Sequence, residues 1–160
     1  MKLKRSPIST LFLAFVFLLF TSPLDAALQL SVAARNARLD AIETAVGTAP
    51  ILEIRTGSVP ANCAAANTGT VLATMTLPSD WMAAASSGSK AKSGTWQDTS
   101  ADATGTAAHF RLFASDGTTC HIQGTVTATS GGGDMELDNT SIATGQTVTV
   151  TTFTLTDGNQ

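Results

Sequence analysis

The sequence predicts a mainly β protein, an antiparallel β-sandwich of the immunoglobulin-like or jelly-roll-like kind, preceded by one amphipathic N-terminal helix. From residue 51 onwards, short stretches alternate between apolar and polar residues and are separated by Gly-rich turns, as in sandwich domains. The 160 residues include 26 Thr and 25 Ala but only 21 charged residues, which favours strands over a disordered chain. We divide the chain into residues 1–26, a helix over 27–47 and a sandwich over 48–160.

The first 26 residues differ from the rest of the chain. Lys2, Lys4 and Arg5 precede an unbroken apolar run over residues 11–20. That run is shorter than the roughly 20 residues that a transmembrane helix needs, so we predict no stable membrane span. A positive start, a short apolar run and the small residue Ala26 are typical of a secretory signal peptide. The alternative is an upstream extension from a mis-set start codon.

Residues 28–46 have the apolar spacing of one amphipathic helix. Alanines supply helix propensity, and Gly47 and Pro50 are suited to ending the helix. We favour a helix that covers one sheet or one end of the domain. The alternative is self-association or docking on a partner, although fewer than three heptads are short for a free-standing coiled coil. The residues that would serve either role are Leu28, Val32, Arg35, Leu39, Ile42 and Val46.

The predicted strands follow from a two-residue period. The Asp116-Gly117 turn reverses one strand into the next, and a change of phase at Thr151-Thr152 predicts a β-bulge or a strand that changes sheets. Residues 79–108 lack a clear period and are interpreted as a long loop or edge hairpin. Its large side chains, expected to cover one opening of the core, are Trp81, Met82 and Trp96. The alternating stretches are 52–55, 71–77, 110–112, 120–128, 135–137 and 148–155.

The two cysteines, Cys63 and Cys120, are candidates for one disulfide. Strand parity turns Cys120 inward, and Cys63 lies in a loop that leads to the strand from residue 71. Closing a loop of this length stabilises by roughly 4 kcal/mol in the chain-entropy model. We expect the bond if the chain is exported and two buried thiols if it stays in the cytosol. A metal pair is disfavoured, because there is no CxxC spacing and His121 points away from Cys120.

Three carboxylates, Asp134, Glu136 and Asp138, share one face of a predicted strand. Residues two apart on a strand are separated by about 6.8 Å, which is too far for all three to bind one Ca²⁺ easily. We therefore interpret them as a solvated strand edge that discourages pairing with other chains.

Other combinations of polar residues do not predict an active site. His109 and Arg111 share a strand face and follow Asp98 and Asp102 in the chain, but no nucleophile motif accompanies them, so surface polar contacts are expected. The glycines of residues 131–133 lack the spacing of a phosphate-binding loop. We predict no catalytic residue, no cofactor and no metal site. The net charge of −3 also argues against a nucleic-acid surface.

Most of the chain resembles a family of short tailed-bacteriophage and prophage proteins that are regarded as virion structural components. The resemblance spans about residues 28–157, and its most specific parts are AARNARLDAIE and GGGDMELDNTSIATGQTVTVTTFTLT. Members of this family generally start just before the helix, so residues 1–26 depart from the pattern. The stretches that carry the resemblance are LSVAARNARLDAIETAVG (30–47), LEIRTGSVPANCAAANTGTVLATMTLP (52–78), TSADATGTAAHFRLF (99–113) and SDGTTCHIQGTVTATSGGGDMELDNTSIATGQTVTVTTFTLT (115–156).

The resemblance implies a non-enzymatic structural protein, either a capsid-decoration or a tail-associated subunit. Its expected partners are other virion proteins or copies of itself in a homo-oligomer. Its expected location is the virion, assembled in the host cytoplasm, if residues 1–26 reflect a mis-set start. The alternative is an exported β-sandwich module for adhesion or ligand binding, secreted or periplasmic and carrying the Cys63–Cys120 bond.

Overall fold

The computed structural model describes residues 28–158, and the predicted signal segment over 1–26 lies outside the described residues. These residues form a mainly β, sandwich-like fold with one helix, which confirms the predicted fold class. The helix α1 spans Val32–Val46. The strands are β1 Ile51–Arg55, β2 Val71–Thr76, β3 Ser89–Ala91, β4 Gln97–Asp98, β5 Gly105–Thr106, β6 His109–Phe113, β7 Cys120–Ala128, β8 Met135–Leu137, β9 Ser141–Ile142 and β10 Val148–Thr156.

One curled sheet contains most of the strands, in the order β2-β1-β6-β7-β8-β10-β3, with β4 also paired to β10. The backbone N–H of Thr74 in β2 donates to the Asp98 carboxylate in β4 at 3.1 Å. This contact brings the first strand of the order close to a strand that pairs with β10, so the sheet curls around its own core. Strands β5 and β9 form a separate two-stranded sheet.

The sheet is mixed because β7 and β8 run parallel, whereas the other paired strands are antiparallel. The glycine-containing connection between them turns tightly: Gly131 N–H donates to the Ala128 carbonyl at 2.9 Å, and Thr129 N–H donates to the Leu137 carbonyl at 3.0 Å. After this connection the chain forms β8, which lies in the sheet between β7 and β10. Asp134 and Asp138 are exposed to solvent, as predicted. The prediction that their segment is a sheet edge was wrong, because β8 is paired on both sides.

The helix begins and ends where side chains and backbone satisfy its free groups. Ser31 caps the N-terminus by accepting the Ala34 N–H at 3.2 Å, so the helix begins four residues later than predicted. Gly47, with φ of 85°, donates its N–H to the Glu43 carbonyl at 2.9 Å and ends the helix as predicted. Within residues 28–158, no helix combines the length and apolar character needed to cross a membrane.

The core is centred on a series of aromatic contacts. Ring centroids lie 5.9 Å apart between Trp81 and Trp96, 5.4 Å between Trp96 and Phe153, and 5.6 Å between Phe153 and Phe110. Both tryptophans are buried, as expected for side chains that close the core. Residues 79–108 are not one long loop, but they contain the edge hairpin that was the alternative. Antiparallel bridges join Met82 to Lys92 and Ser86 to Ser89, and β3 is the last strand of the sheet order. The predicted irregularity in β10 is confirmed by a register shift between Val150 and Thr152.

Candidate functional site

The main cluster of polar side chains lies under the loop of residues 56–70, which connects β1 to β2. His109 and Arg111 are only 0% and 1% exposed, so the prediction that they make surface contacts was wrong. Arg55 of β1 lies directly opposite His109 in the sheet and is also buried. The burial follows from topology, because β6 pairs on both sides and the 56–70 loop covers the sheet face that carries these residues.

Arg111 holds the middle of the 56–70 loop through its guanidinium group. Nη1 donates to the Ala65 carbonyl at 3.0 Å and to the side-chain oxygen of Asn67, and Nη2 donates to the Cys63 carbonyl at 2.6 Å. The guanidinium carbon also lies 5.5 Å from the ring centroid of Phe113. These acceptors are neutral oxygens of the loop, so the contacts of Arg111 fix the loop to β6 and do not form an ion pair.

Arg55 holds the end of the same loop. Its Nε donates to the Thr68 carbonyl at 2.9 Å, and Nη2 donates to the Gly69 carbonyl at 3.3 Å. Its Nη1 forms an ion pair with the Glu53 carboxylate at 2.5 Å. Gln123 of β7 adds a further contact by donating to the Pro60 carbonyl at 2.6 Å.

His109 contacts the beginning of the loop, with Nδ1 3.1 Å from the Gly57 carbonyl. Burial lowers the pKa of His109, and the neighbouring charges of Arg55 and Arg111 lower it further, against the opposing effect of the Gly57 contact. The ring is therefore neutral at pH 7, and Nδ1 carries the proton that it donates to Gly57. Its Nε2 is buried without a hydrogen-bond partner among the described residues.

The disulfide adds a covalent attachment of this loop to the sheet. The structure joins Cys63 of the loop to Cys120 of β7, with a Cα–Cα distance of 5.2 Å. This is the pairing expected for an exported chain. Among residues 28–158, no group of three or more His, Cys, Asp or Glu side chains is placed to hold a metal ion.

A cavity of about 310 Å³ lies beside the disulfide and is open to solvent. Arg111 and Phe113 form part of its wall, and residues 63–67 form another part. Because Arg111 is almost fully buried and bonded to that backbone, the cavity presents little of its charge. His109 is likewise inaccessible to a substrate, so the cluster has the geometry of a loop anchor and lacks that of a general-base centre.

Asp98 and Asp102, the carboxylates that precede β6, do not join His109 and Arg111. Asp98 accepts the Thr74 backbone N–H at 3.1 Å, and Asp102 accepts the Thr74 hydroxyl at 2.8 Å. Both therefore hold the outer edge of β2.

The three carboxylates around β8 also serve separate contacts. Asp134 accepts the backbone N–H of Thr125 at 2.8 Å and its hydroxyl at 2.7 Å, and these hydrogen bonds lower the pKa of Asp134. Glu136 accepts a glycine N–H in the β7–β8 connection, and Asp138 accepts a backbone N–H of β10. They hold three different segments, so they do not form one ligand site.

The six predicted helix residues divide into two groups. Leu39 and Val46 are buried, and Arg35 donates from Nη1 to the Asp157 carbonyl at 2.9 Å. These three contact the body of the domain, as a covering helix should. The other three are exposed: Leu28 by 83%, Val32 by 48% and Ile42 by 37%.

Lys90 of β3 fixes the helix to the sheet, and the sequence reasoning missed it. Its Nζ lies 2.7 Å from the Asp40 carboxylate and 2.8 Å from that of Glu43, while its side chain is only 2% exposed. Although burial opposes it, the hydrogen bonds to Asp40 and Glu43 raise the pKa of Lys90. Two features of the sequence could have indicated this contact. Asp40 and Glu43 lie three residues apart on the helix, and Lys90 lies in a short strand with few apolar residues.

The distribution of charge follows from these contacts. Residues 28–158 contain six Lys and Arg against eleven Asp and Glu. Arg55, Lys90 and Arg111 are buried, and Arg35 and Lys92 are half-buried. Arg38 is exposed but pairs with Asp157 at 3.3 Å. The cationic groups of this region are thus largely used inside the fold, which leaves an acidic outer surface.

In comparisons with known proteins, no family model, curated sequence or solved structure matches the chain. The function proposed below therefore depends on the resemblance of its sequence segments and on the geometry of the domain.

Proposed function

We propose that the chain is a non-enzymatic structural subunit of a bacteriophage or prophage particle, a capsid-decoration or tail-associated protein. The observation that carries the proposal is the position of the exposed apolar side chains. Within the described residues, the large apolar side chains that are exposed all belong to the helix segment: Leu28, Val32 and Ile42. Isolated exposed apolar residues are ordinary on a protein surface. Because these three side chains are carried by one segment, residues 28–46, we propose that they form a surface for protein contacts.

The way the helix is held supports the same proposal. Arg35, Leu39 and Lys90 fix the helix to the sheet, so its exposed side chains stand on a rigid support. A rigid surface loses little conformational entropy on binding, which favours repeated packing of identical subunits. We propose that this surface contacts a second copy of the chain or another virion protein.

The polar clusters support a role without catalysis or nucleic-acid binding. The histidine under the 56–70 loop is buried, and its neighbouring arginines bind backbone carbonyls. Binding to nucleic acid requires exposed cationic side chains that contact phosphates. The acidic outer surface of this domain is unsuited to such contacts.

Light scattering of the purified chain tests self-association. We expect a mass of two or more copies for the wild type and a monomer for the double variant Val32→Ser and Ile42→Ser. The matched control is Ala33→Ser with Ala45→Ser, which changes two other exposed positions of α1 and should keep the wild-type mass. Equal masses for all three proteins would show that the helix surface does not mediate self-association.

Particle purification tests the wider proposal. Particles from a host that carries this gene in a prophage are separated on a density gradient and examined by mass spectrometry for peptides of this chain. We expect the peptides in the particle fraction at a stoichiometry of many copies. Their absence from particles, with the chain present elsewhere in the lysate, would contradict a structural role in the virion.

A second candidate, an exported β-sandwich module for adhesion or ligand binding, is favoured by the Cys63–Cys120 disulfide. Disulfides persist mainly in oxidising compartments. N-terminal sequencing of the product, together with the mass of its precursor, tests this candidate. A precursor that is cleaved near Ala26 and recovered outside the cytoplasm would support export, whereas a product that starts near residue 27 without a precursor would contradict it.

A further inference from the structure

The 56–70 loop differs from other loops of the domain in how it is attached. Its sequence, TGSVPANCAAANTGT, contains no charged residue. It nevertheless covers three basic side chains, Arg55, His109 and Arg111, and supplies them with backbone carbonyl oxygens. Backbone carbonyls satisfy hydrogen bonds, but they do not neutralise a positive charge.

The balance of charge around His109 is therefore fixed by the strands beneath the loop. Strand β1 supplies Arg55 and Glu53, and β6 supplies Arg111. Strand β7 places the uncharged residues Gln123 and Thr125 opposite β6, and β2 contains no charged residue. On the β7 side, the carboxylate of Asp134 is bonded to the backbone N–H and hydroxyl of Thr125. Glu53 is already paired with Arg55.

This arrangement accommodates a neutral His109 and opposes a charged one. The neutral ring donates from Nδ1 to Gly57, and its Nε2 needs no counter-ion. A proton on Nε2 would add a third positive charge to a buried cluster that has one carboxylate. Burying an unpaired charge is strongly unfavourable, and hydration of the imidazolium requires that the overlying chain moves away.

We propose that the 56–70 loop is an acid-sensitive cover, which protonation of His109 releases from the sheet while the Cys63–Cys120 bond keeps its middle attached. Release breaks the Gly57 contact first, because Gly57 is the loop residue bonded to the ring. The opened state exposes a surface that carries Arg55, His109 and Arg111. This surface carries positive charge, whereas the exterior of the closed domain is acidic. Opening therefore reverses the sign of the surface charge at this position.

The sign of the pH dependence follows from proton linkage. The pKa of His109 is lower in the closed state than in an exposed histidine, so the closed state binds fewer protons. Closure is therefore fully favoured above the ordinary histidine pKa of about 6.5. It weakens as the pH falls from that value towards the lowered pKa of the closed state. Each unit of difference between the two pKa values is about a tenfold change in the closing equilibrium.

Hydrogen exchange between pH 7.5 and pH 5.0, corrected for intrinsic rates, tests the proposal on the intact chain. The amides of Thr56 and Thr70 join the two ends of the closed loop, Thr56 N–H donating to the Thr70 carbonyl at 3.0 Å and Thr70 N–H to the Thr56 hydroxyl at 2.9 Å. We expect their protection to fall, by at most about thirtyfold, because pH 5.0 lies about 1.5 pH units below the ordinary histidine pKa of about 6.5. Amides of β1 should keep their protection, because only the loop opens. Protection that is constant down to pH 5.0, or that is lost equally from β1, would overturn the proposal.

Two histidine variants separate His109 from other acid effects. His109→Asn keeps a nitrogen donor near Gly57 but does not titrate, so its loop should stay protected at pH 5.0. His121→Asn removes the exposed histidine and should behave as the wild type. If His109→Asn does not fold, the ring titration of His109 in the wild type is measured by NMR. Its midpoint must coincide with that of loop opening, and a mismatch overturns the proposal.

Discussion

Removal of the Cys63–Cys120 disulfide is expected to lower the free energy of unfolding by about 4 kcal/mol without changing the fold. The two cysteines are 57 residues apart in sequence, and the chain-entropy model gives this value for a loop of that length at 25 °C. The loss arises in the unfolded chain, which gains conformations when the cross-link is absent. For a domain of this size the thermal midpoint should fall by on the order of 15 °C.

The folded state should change little, because the loop has other attachments. Arg111 and Gln123 still bind its carbonyls, at 2.6 Å for both Cys63 and Pro60. We therefore expect the double variant Cys63→Ala and Cys120→Ala to keep the wild-type circular dichroism spectrum. Wild-type protein reduced with a phosphine is the matched control and should show the same loss of stability.

Urea unfolding at pH 7.5 measures the effect. The midpoint should fall, and the slope of free energy against urea should rise, because the uncross-linked chain exposes more surface when it unfolds. A loss below about 1 kcal/mol with an unchanged slope would refute the entropic reasoning. Loss of native loop protection in the variant would refute the role given to Arg111 and Gln123.

Two further predictions concern the ends of the helix and the loop. Trp81→Phe removes the hydrogen bond from the indole to the Gly47 carbonyl, 3.0 Å in the structure, and should cost about 2 kcal/mol in urea unfolding. Gly69→Ala should cost more than about 2 kcal/mol, since φ is +65° and a Cβ would lie 1.8 Å from the Thr56 carbonyl oxygen. Gly132→Ala, with a φ of +76° but open space around it, should cost only about 1 kcal/mol. Equal losses in the two glycine variants would contradict the close contact.

Features set by neighbouring residues were predictable from the sequence. The helix end at Gly47 depends on one residue with a positive φ. The β6–β7 turn depends on Asp116 and Gly117, where Asp116 accepts the N–H groups of residues 118 and 119. The bulge in β10 follows from the change of apolar phase at residues 151–152. In each case the conformation depends on residues that are close together in the chain, so the local sequence is enough to predict it.

Features that depend on distant segments were not predictable in the same way. Alternation in β6 predicts that Phe110 and Leu112 face one way and His109 and Arg111 the other. It does not reveal that the second face is also covered, because the covering 56–70 loop has no apolar period. The position of β8 between β7 and β10 likewise depends on long-range pairing. The first error placed buried polar residues at the surface, and the second placed a central strand at the edge of the sheet.

The internal use of cations explains how an irregular, uncharged loop is held without an apolar face of its own. A loop without alternating apolar residues gains little from hydrophobic burial, and its carbonyl groups must still be satisfied when it packs on a sheet. Arg55 and Arg111 meet this need because a guanidinium presents several donors in one plane. Lys90 holds the helix in a different way, by ion pairs with the carboxylates of Asp40 and Glu43. This arrangement places positive charge inside and negative charge outside, so the proposed acid sensitivity of the loop depends on His109, the buried histidine that contacts Gly57.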